Sequence, residues 1–256
     1  MKYKLLSWNV NGIRAIYKKG FLNWFASEKP DMLCLQETKA RDLQLPDDLI
    51  HIPGYESIFV SAKKGGYSGV VTYTKKQASK ISTGFGIPEF DNEGRTVVTE
   101  FPEFMLYNVY FPNGKASKER LDYKMRFCEA FLNHLQKKLQ EGKKIIICGD
   151  VNTAHKEIDL ARPKANETVS GFLPIERQWL DKLFNSGFID TFRMFNQKPD
   201  QYTWWSQRTA ARKRNVGWRI DYFIVSDNLQ QNISNAYIMP SVLGSDHCPI
   251  GLEITI

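Results

Sequence analysis

Near the carboxyl end, "GSDHCPIGLEITI" (residues 244–256) sets Asp246 and His247 side by side between a Gly-Ser turn and Cys248-Pro249. A histidine that does chemistry needs a carboxylate to orient it. Consecutive side chains of an extended chain point to opposite faces, so Asp246 is a poor candidate and the partner must come from elsewhere. Polar residues stand at the ends of several apolar runs. The run at 5–8 ends in Asn9 and Asn11, and the run at 31–36 ends in Gln36-Glu37. The run at 105–109 ends in Tyr110 with Asn113 just after, and the run at 144–148 ends in Asp150 and Asn152. Two further runs begin with polar groups: Asp221 opens "DYFIV", and Asp246-His247 precede "PIGLEI". One Asp or Asn at a strand end is ordinarily a turn or cap residue. Six such ends able to meet on one edge of packed sheets are harder to explain as turns. On this reading Asp221 orients His247 and Asp246 is free for another task. Carboxylates and amides without a Cys/His cluster make hard oxygen ligands, which suit Mg²⁺ or Mn²⁺ rather than zinc. A metal on Glu37, an oriented His and an Asp that activates water describe phosphodiester hydrolysis. Neither a Walker loop nor a G-x-S-x-G elbow is present to suggest another chemistry.

The elements that must carry these groups are legible as apolar runs. They lie at 3–8, 31–36, 55–60, 69–74, 96–101, 105–111, 144–148, 220–225 and 249–254. Several are continuous rather than alternating, as in strands covered on both faces. Three helices are expected. One spans 13–29 and stops before Pro30; one spans 118–141 and is closed by Gly142. The third spans 174–186, opened by Pro174, with Ile175, Trp179, Leu183 and Phe184 as its apolar face. Two series of strands with interspersed helices fit two sheets packed face to face with helices outside. No Pro/Gly/Ser-rich linker divides the chain, so a single domain over 1–256 is expected. "LLSWNVNG" (5–12) and "IIICGDVNT" (145–153) share one shape: an apolar strand, a small residue, then Asn or Asp, Val, Asn. If the backbone stays extended, each polar pair points to one side of its strand end.

Composition narrows the class. With 42% hydrophobic and 13% aromatic residues the chain has material for a core, which excludes disorder. No apolar run reaches the length of a membrane span, and the apolar stretch in the start "MKYKLLSWNV", interrupted by Asn9 and Asn11, is too short for a signal peptide. The four cysteines show no C-x-x-C spacing, which suits reduced, buried thiols in a cytoplasmic protein, nucleoid-associated if prokaryotic. A net charge of +7 without a membrane segment invites a polyanion, nucleic acid first. The stretch 206–219 sharpens this, with Arg208, Arg212, Lys213, Arg214 and Arg219, no acid, and Trp204, Trp205 and Trp218 around them. Such rings could pack on a sugar or base.

At these residues the sequence resembles the exonuclease III family of apurinic/apyrimidinic endonucleases, within the endonuclease/exonuclease/phosphatase superfamily. The resemblance covers nearly the whole chain. It rests on "SWNVNGIRA" (7–15), "PDMLCLQETK" (30–39), "GYSGV" (66–70) and "NVYFPNG" (108–114), then "CGDVNTAHKEIDLARPK" (148–164), "NVGWRIDYF" (215–223) and "GSDHCP" (244–249). It implies a four-layered α/β sandwich, two packed and mainly antiparallel β-sheets flanked by helices. It also implies incision of duplex DNA 5′ to abasic sites, leaving a 3′-hydroxyl and a 5′-deoxyribose phosphate, with 3′→5′ exonuclease and 3′-phosphodiesterase activity as side reactions. By this resemblance Glu37 binds Mg²⁺, with Mn²⁺ as a substitute, and Asn9 and Asp246 lie close to the metal or its waters. Asp150 orients and deprotonates the attacking water, supported by Asn152. His247, held by Asp221, binds the scissile phosphate, and Tyr110 hydrogen-bonds the phosphate or assists the leaving group. Trp204, Trp218 and Ile220 wall a pocket for the flipped-out sugar. Asn11, Arg14, Lys39, Tyr67, Arg95, Asn113, Asn166 and Asn215 match substrate or DNA contacts, chiefly to phosphates. Some relatives carry Asp where this chain has Asn11, so one metal is expected. Arg208 replaces other side chains in a DNA-penetrating loop, where it fills the gap left by the flipped nucleotide or contacts a phosphate. Trp204 stands where Phe is frequent, which leaves open incision at damaged bases such as uracil. The expected partner is double-stranded DNA with abasic or damaged nucleotides, met by a monomer with no membrane involvement. Secreted deoxyribonucleases, sphingomyelinases and inositol phosphatases share the metal-and-His core. The absent signal peptide and the basic aromatic loop argue against them.

Overall fold

The apolar runs form strands that pair into two six-stranded sheets. The computed structural model describes the backbone of residues 1–256 and every side chain except that of Thr209. In chain order the strands begin with β1 (Lys2–Asn9), β2 (Met32–Gln36), β3 (Glu56–Val60), β4 (Val70–Thr74), β5 (Lys80–Thr83), β6 (Thr96–Glu100) and β7 (Met105–Tyr110). They continue with β8 (Ile145–Asp150), β9 (Phe188–Asp190), β10 (Trp204–Trp205), β11 (Gly217–Trp218), β12 (Asp221–Ser226), β13 (Ile233–Ile238) and β14 (Ile250–Thr255). One sheet has the order β13-β14-β1-β2-β4-β3, the other β5-β6-β7-β8-β12-β9, and β10 and β11 form a short ribbon. Each large sheet has one parallel pair at its centre, β1 with β2 and β7 with β8, and is otherwise antiparallel.

The helices are α1 (Ile13–Tyr17), α2 (Phe21–Glu28), α3 (Asp47–Ile50), α4 (Pro88–Asp91), α5 (Lys118–Gln140), α6 (Pro174–Phe184) and α7 (Thr191–Phe195). Because side chains alternate along a strand, each inner strand feeds two cores. Leu5, Cys34, Leu106, Ile146 and Phe223 meet between the sheets. Leu6, Leu35 and Tyr73 point the other way, onto Ile13 and Ile16 of α1 and Phe21 and Phe25 of α2. Tyr107, Ile147 and Ile224 face Phe127, Phe131, Trp179 and Leu183 of α5 and α6. The result is the expected four-layered sandwich. Among the described residues no helix is long and apolar enough to cross a membrane, and the four cysteines are free and buried.

Several expectations are corrected. The helix expected over 13–29 is two helices, because Gly20 adopts a left-handed conformation (φ 90°) that interrupts the helix before α2. Helix α5 runs as expected, with Ser117 accepting a hydrogen bond from the Arg120 amide and Gly142 just past its end. In α6 the face is rotated: Ile175 is exposed, while Glu176 and Leu180 join Trp179 and Leu183 inside. Glu176 meets Lys124 of α5 there, Nζ to Oε1 at 2.6 Å with both groups buried. The β10–β11 ribbon was not expected, nor, in the two large sheets, were β5, β9 and β13. These last three lie at sheet edges, and their polar-interrupted sequences need no apolar run.

Candidate active site

The polar strand ends converge. The carboxyl ends of β1, β2, β7 and β8 meet the amino ends of β12 and β14 on one edge of the sandwich. Tyr110 pairs with Asp150 across β7 and β8, and Asp150 pairs with Asp221 across β8 and β12. The two halves of the sequence echo touch: Asn9 Nδ2 donates to Asp150 Oδ2 at 2.8 Å and so joins the sheets. The backbone is not extended past these residues. Asn9 Oδ1 accepts the Asn11 amide at 2.9 Å and Asp150 Oδ1 accepts the Asn152 amide at 2.8 Å, the same turn twice. Asn11 (φ 46°), Glu37 (φ 57°), Lys39 (φ 54°) and Asn152 (φ 54°) are all left-handed, and strained non-glycine backbone gathers at functional sites.

Around Asp150 and His247 the geometry separates acid from base. His247 Nδ1 lies 2.8 Å from Asp221 Oδ2, as the sequence suggested, and its Nε2 lies 3.9 Å from Asp150 Oδ2. Thr203 Oγ1 donates to the same Asp221 oxygen at 2.5 Å and accepts the amides of Ile220 and Asp221. Asp221 Oδ1 is buried with no partner among the described residues. Trp8 Nε1 holds the His247 carbonyl oxygen, and Ser245 Oγ ties the loop to the Asn9 carbonyl. Burial alone would depress the His247 pKa. The charge and hydrogen bond of Asp221, with Asp150 and Asp246 behind them, outweigh burial and raise it to about 10, so the ring is an imidazolium. Asp150 moves the other way for a carboxyl: burial first, then the Asp221 charge, raises its pKa. A group that holds a proton stands beside one poised to take one. Burial also raises the Tyr110 pKa well above its ordinary value, with Glu37 and Asp150 adding to it, so the phenol stays protonated.

On the other flank, Glu37 Oε2 accepts Asn9 Nδ2 at 3.0 Å, and its Oε1 lies 2.9 Å from Lys39 Nζ. Lys39 also donates to Asn11 Oδ1 at 2.5 Å, and Asn11 Nδ2 donates to Asp246 Oδ1 at 2.9 Å. Asp246 Oδ2 accepts Trp204 Nε1 at 3.0 Å. One expectation changes here. Lys39 lies on the Glu37 carboxylate rather than standing free for DNA. Asn9 has its oxygen on the Asn11 amide and its amide nitrogen on Glu37 and Asp150. The Lys39 ammonium sits among these oxygen donors, a set of the kind that would suit a hard cation. A second group, Asp150, Asp221 and His247, has ligand atoms within 4.8 Å of one another. There the Asp221–His247 bond already uses two of the donors.

A cavity of about 270 Å³ opens over these groups. Its lining includes Asn11, Glu37, Tyr110, Asn113, Asp150, Asn152, Asp246 and His247, together with Trp204, Trp218 and Ile220. Asn113 Nδ2 donates to Asn152 Oδ1 at 2.9 Å. Lys115, Ser170 and Gly171 also line it and were missed; only the place of Lys115 two residues after Asn113 hinted at it. Arg14, Tyr67, Asn166 and Arg208 lie outside the lining, Arg14 and Arg208 exposed and the other two half-buried. Arg95 is corrected outright. Only 2% exposed, it gives Nε to Glu93, Nη1 to the Tyr110 carbonyl and Nη2 to Tyr67, so it positions two tyrosines instead of gripping a phosphate. Asn215 is corrected too: its oxygen accepts Trp205 Nε1 and its nitrogen donates to the Asp200 carbonyl, which pins the loop. The basic stretch is thinner than its sequence. Arg219 is buried between Asp159 (2.8 Å) and Asp190 (2.6 Å), and Arg212 donates to the carbonyls of Pro240, Val242 and Ser245.

The comparisons agree with this architecture. A model of the endonuclease/exonuclease/phosphatase family matches residues 6–247. An exodeoxyribonuclease of Bacillus subtilis (strain 168) is 43% identical, over 99% of this chain and 100% of that protein. The DNA repair nuclease APEX1 of Danio rerio is 42% identical, over 99% of this chain and 82% of that one. Among solved structures, the AP endonuclease LMAP from Leishmania major superposes with a TM-score of 0.89 at 33% identity, over 100% of this chain and 88% of that chain. The chain belongs to the endonuclease/exonuclease/phosphatase family and, within it, to the hydrolytic nucleases of the exonuclease III type.

Proposed function

We propose that the chain is a Mg²⁺-dependent DNA repair endonuclease that hydrolyses the phosphodiester 5′ to an abasic site in duplex DNA, leaving a 3′-hydroxyl and a 5′-deoxyribose phosphate. One observation carries the reading: a single cavity joins Tyr110, Asp150 and His247 to the wall of Trp204, Trp218 and Ile220. Hydrolytic groups beside a small aromatic pocket suit a sugar turned out of the helix without its base. The names of the relatives, exodeoxyribonuclease, DNA repair nuclease and AP endonuclease, point the same way.

In this reading Asp150, its carboxyl raised by burial, takes the proton of the attacking water. Asn9 and Asn152 hold that carboxylate by hydrogen bonds to both its oxygens. The imidazolium of His247 donates from Nε2 to a phosphate oxygen and stabilises the charge that builds there. Tyr110, kept protonated, donates to the phosphate or to the departing oxygen. Glu37 and Asp246 are the carboxylates that would hold Mg²⁺, or Mn²⁺ in its place, which when bound supplies Lewis-acid stabilisation of the same charge.

The test is cleavage of an end-labelled duplex with one tetrahydrofuran abasic analogue, in Mg²⁺ or EDTA, beside intact and uracil-containing duplexes. A single Mg²⁺-dependent cut 5′ to the analogue, lost in His247→Asn, is expected. An uncut abasic duplex together with hydrolysis of small phosphate esters would overturn the substrate. Cutting at uracil would show that the wall formed with Trp204 admits a base.

A further inference from the structure

The pocket holds a lysine that the proposed hydrolysis does not use. Lys115 lines it, with Nζ 5.1 Å from the Trp204 ring centroid and 5.2 Å from that of Trp218. It is the one lysine lining this cavity among the described residues. Lys39 is paired with Glu37 and Lys124 with Glu176, whereas the contacts of Lys115 Nζ among the described residues are the two ring faces. An ammonium without a carboxylate hydrogen bond, on an exposed residue that lines the cavity where a base-less sugar would sit, is available for chemistry.

We propose that Lys115 is a nucleophilic amine that condenses with the C1′ aldehyde of a ring-opened abasic deoxyribose in this pocket, forming a reversible imine. The inference rests on the reading that the pocket receives an abasic sugar. The nitrogen lone pair of the neutral amine attacks C1′, forming the N–C bond while the carbonyl oxygen takes up a proton. The amine's two protons and that oxygen then leave as one water, and the C=N bond forms. Hydrolysis reverses the step, and no oxidant or reductant enters. Burial of the amine, then the positive charge of Lys124, lowers the Lys115 pKa against the opposing charges of Glu176 and Asp150, and enlarges the neutral share. The ring faces oppose this by favouring the cation. The imine would hold the lesion in place and hand it on slowly.

The experiment is reductive trapping. Wild-type protein is mixed in EDTA with a labelled duplex carrying a natural abasic site, and sodium cyanoborohydride reduces any imine to a stable amine. A tetrahydrofuran duplex, which has no aldehyde, is the control. The expected result is a denaturant-resistant adduct with the natural site alone, mapped by peptide mass spectrometry to Lys115 and reduced about tenfold or more in Lys115→Arg. No adduct, an adduct mapped to another amine, or an undiminished yield in the variant would overturn the proposal. Mapping on the wild type keeps this test valid if the variant folds poorly. Mg²⁺-dependent incision of the tetrahydrofuran duplex by the same preparation separates the two ideas. Incision without a Lys115 adduct sinks only this inference, whereas no incision sinks the proposed function.

Discussion

At the scale of single residues, charge and hydrogen bonding separate roles that residue type alone leaves mixed. Glu37 meets an ammonium and an amide nitrogen, and in the proposed function it is a carboxylate that would hold the metal. Glu37→Gln is expected to cut Mg²⁺-dependent turnover by about 100-fold or more while moving DNA affinity by less than about threefold. Equal losses in both, measured by single-turnover kinetics and anisotropy, would make Glu37 a structural residue. Two arginines with the same expected role part company. Arg14 is exposed, and Arg14→Gln should reduce the slope of log Kd against log salt by about 0.9 if it meets one phosphate. Buried Arg95 stands 4.8 Å from the Tyr110 ring centroid and bonds its backbone. Arg95→Gln should lower the melting temperature and kcat yet leave that salt slope unchanged.

At the scale of elements, the site depends on where strands stop. The β1 and β8 ends were recognisable because each writes the same polar signature after an apolar run. The turn they share was not, because Asn11 and Asn152 leave the extended conformation only when a carboxylate or amide two residues back accepts their amides. Gly149 is required at the end of β8: its φ is 136°, and an added Cβ would overlap the Val109 carbonyl oxygen in β7. Gly149→Ala should destabilise the protein by about 2 kcal/mol or more and displace Asp150. A denaturation midpoint equal to wild type would show that β7 can yield. The helix expected over 13–29 broke at Gly20, and the face of α6 rotated to bury Glu176. Periodicity detects apolar residues, so it could not see that a glutamate faces inward to meet Lys124.

At the scale of the whole molecule, charges that look like ligands for DNA are divided between surface and interior. Arg219, amid a basic stretch, is locked with Asp159, Asp190 and Arg193. Burial would raise the Asp159 pKa, but Arg219 and Arg193 outweigh it and bring it from 3.8 down to about 2. A carboxyl whose folded pKa is depressed contributes stability above its unfolded pKa and loses it as pH falls toward the folded one. Here that is about 2 kcal/mol, present above about pH 4 and lost toward about pH 2. Denaturation midpoints of wild type and Asp159→Asn should therefore differ most near neutral pH and converge in acid. A constant difference would mean that the network does not titrate with folding.

The sequence by itself determined the chemical inventory and the fold class. Glu37, Asp150, Asp221 and His247 were picked out by lying at the ends of apolar runs, and continuous runs implied strands covered on both faces. Those signals are local, carried by residues adjacent or at a fixed period in the chain. Tertiary structure alone decided which polar ends touch and which cations are buried. It placed Arg95 under two tyrosines, Arg219 in an ion network and Lys115 over two tryptophans. A lysine or arginine is written the same way whether its charge meets solvent, a carboxylate or a ring face. That choice depends on neighbours many residues away in the chain, brought close only when the two sheets pack.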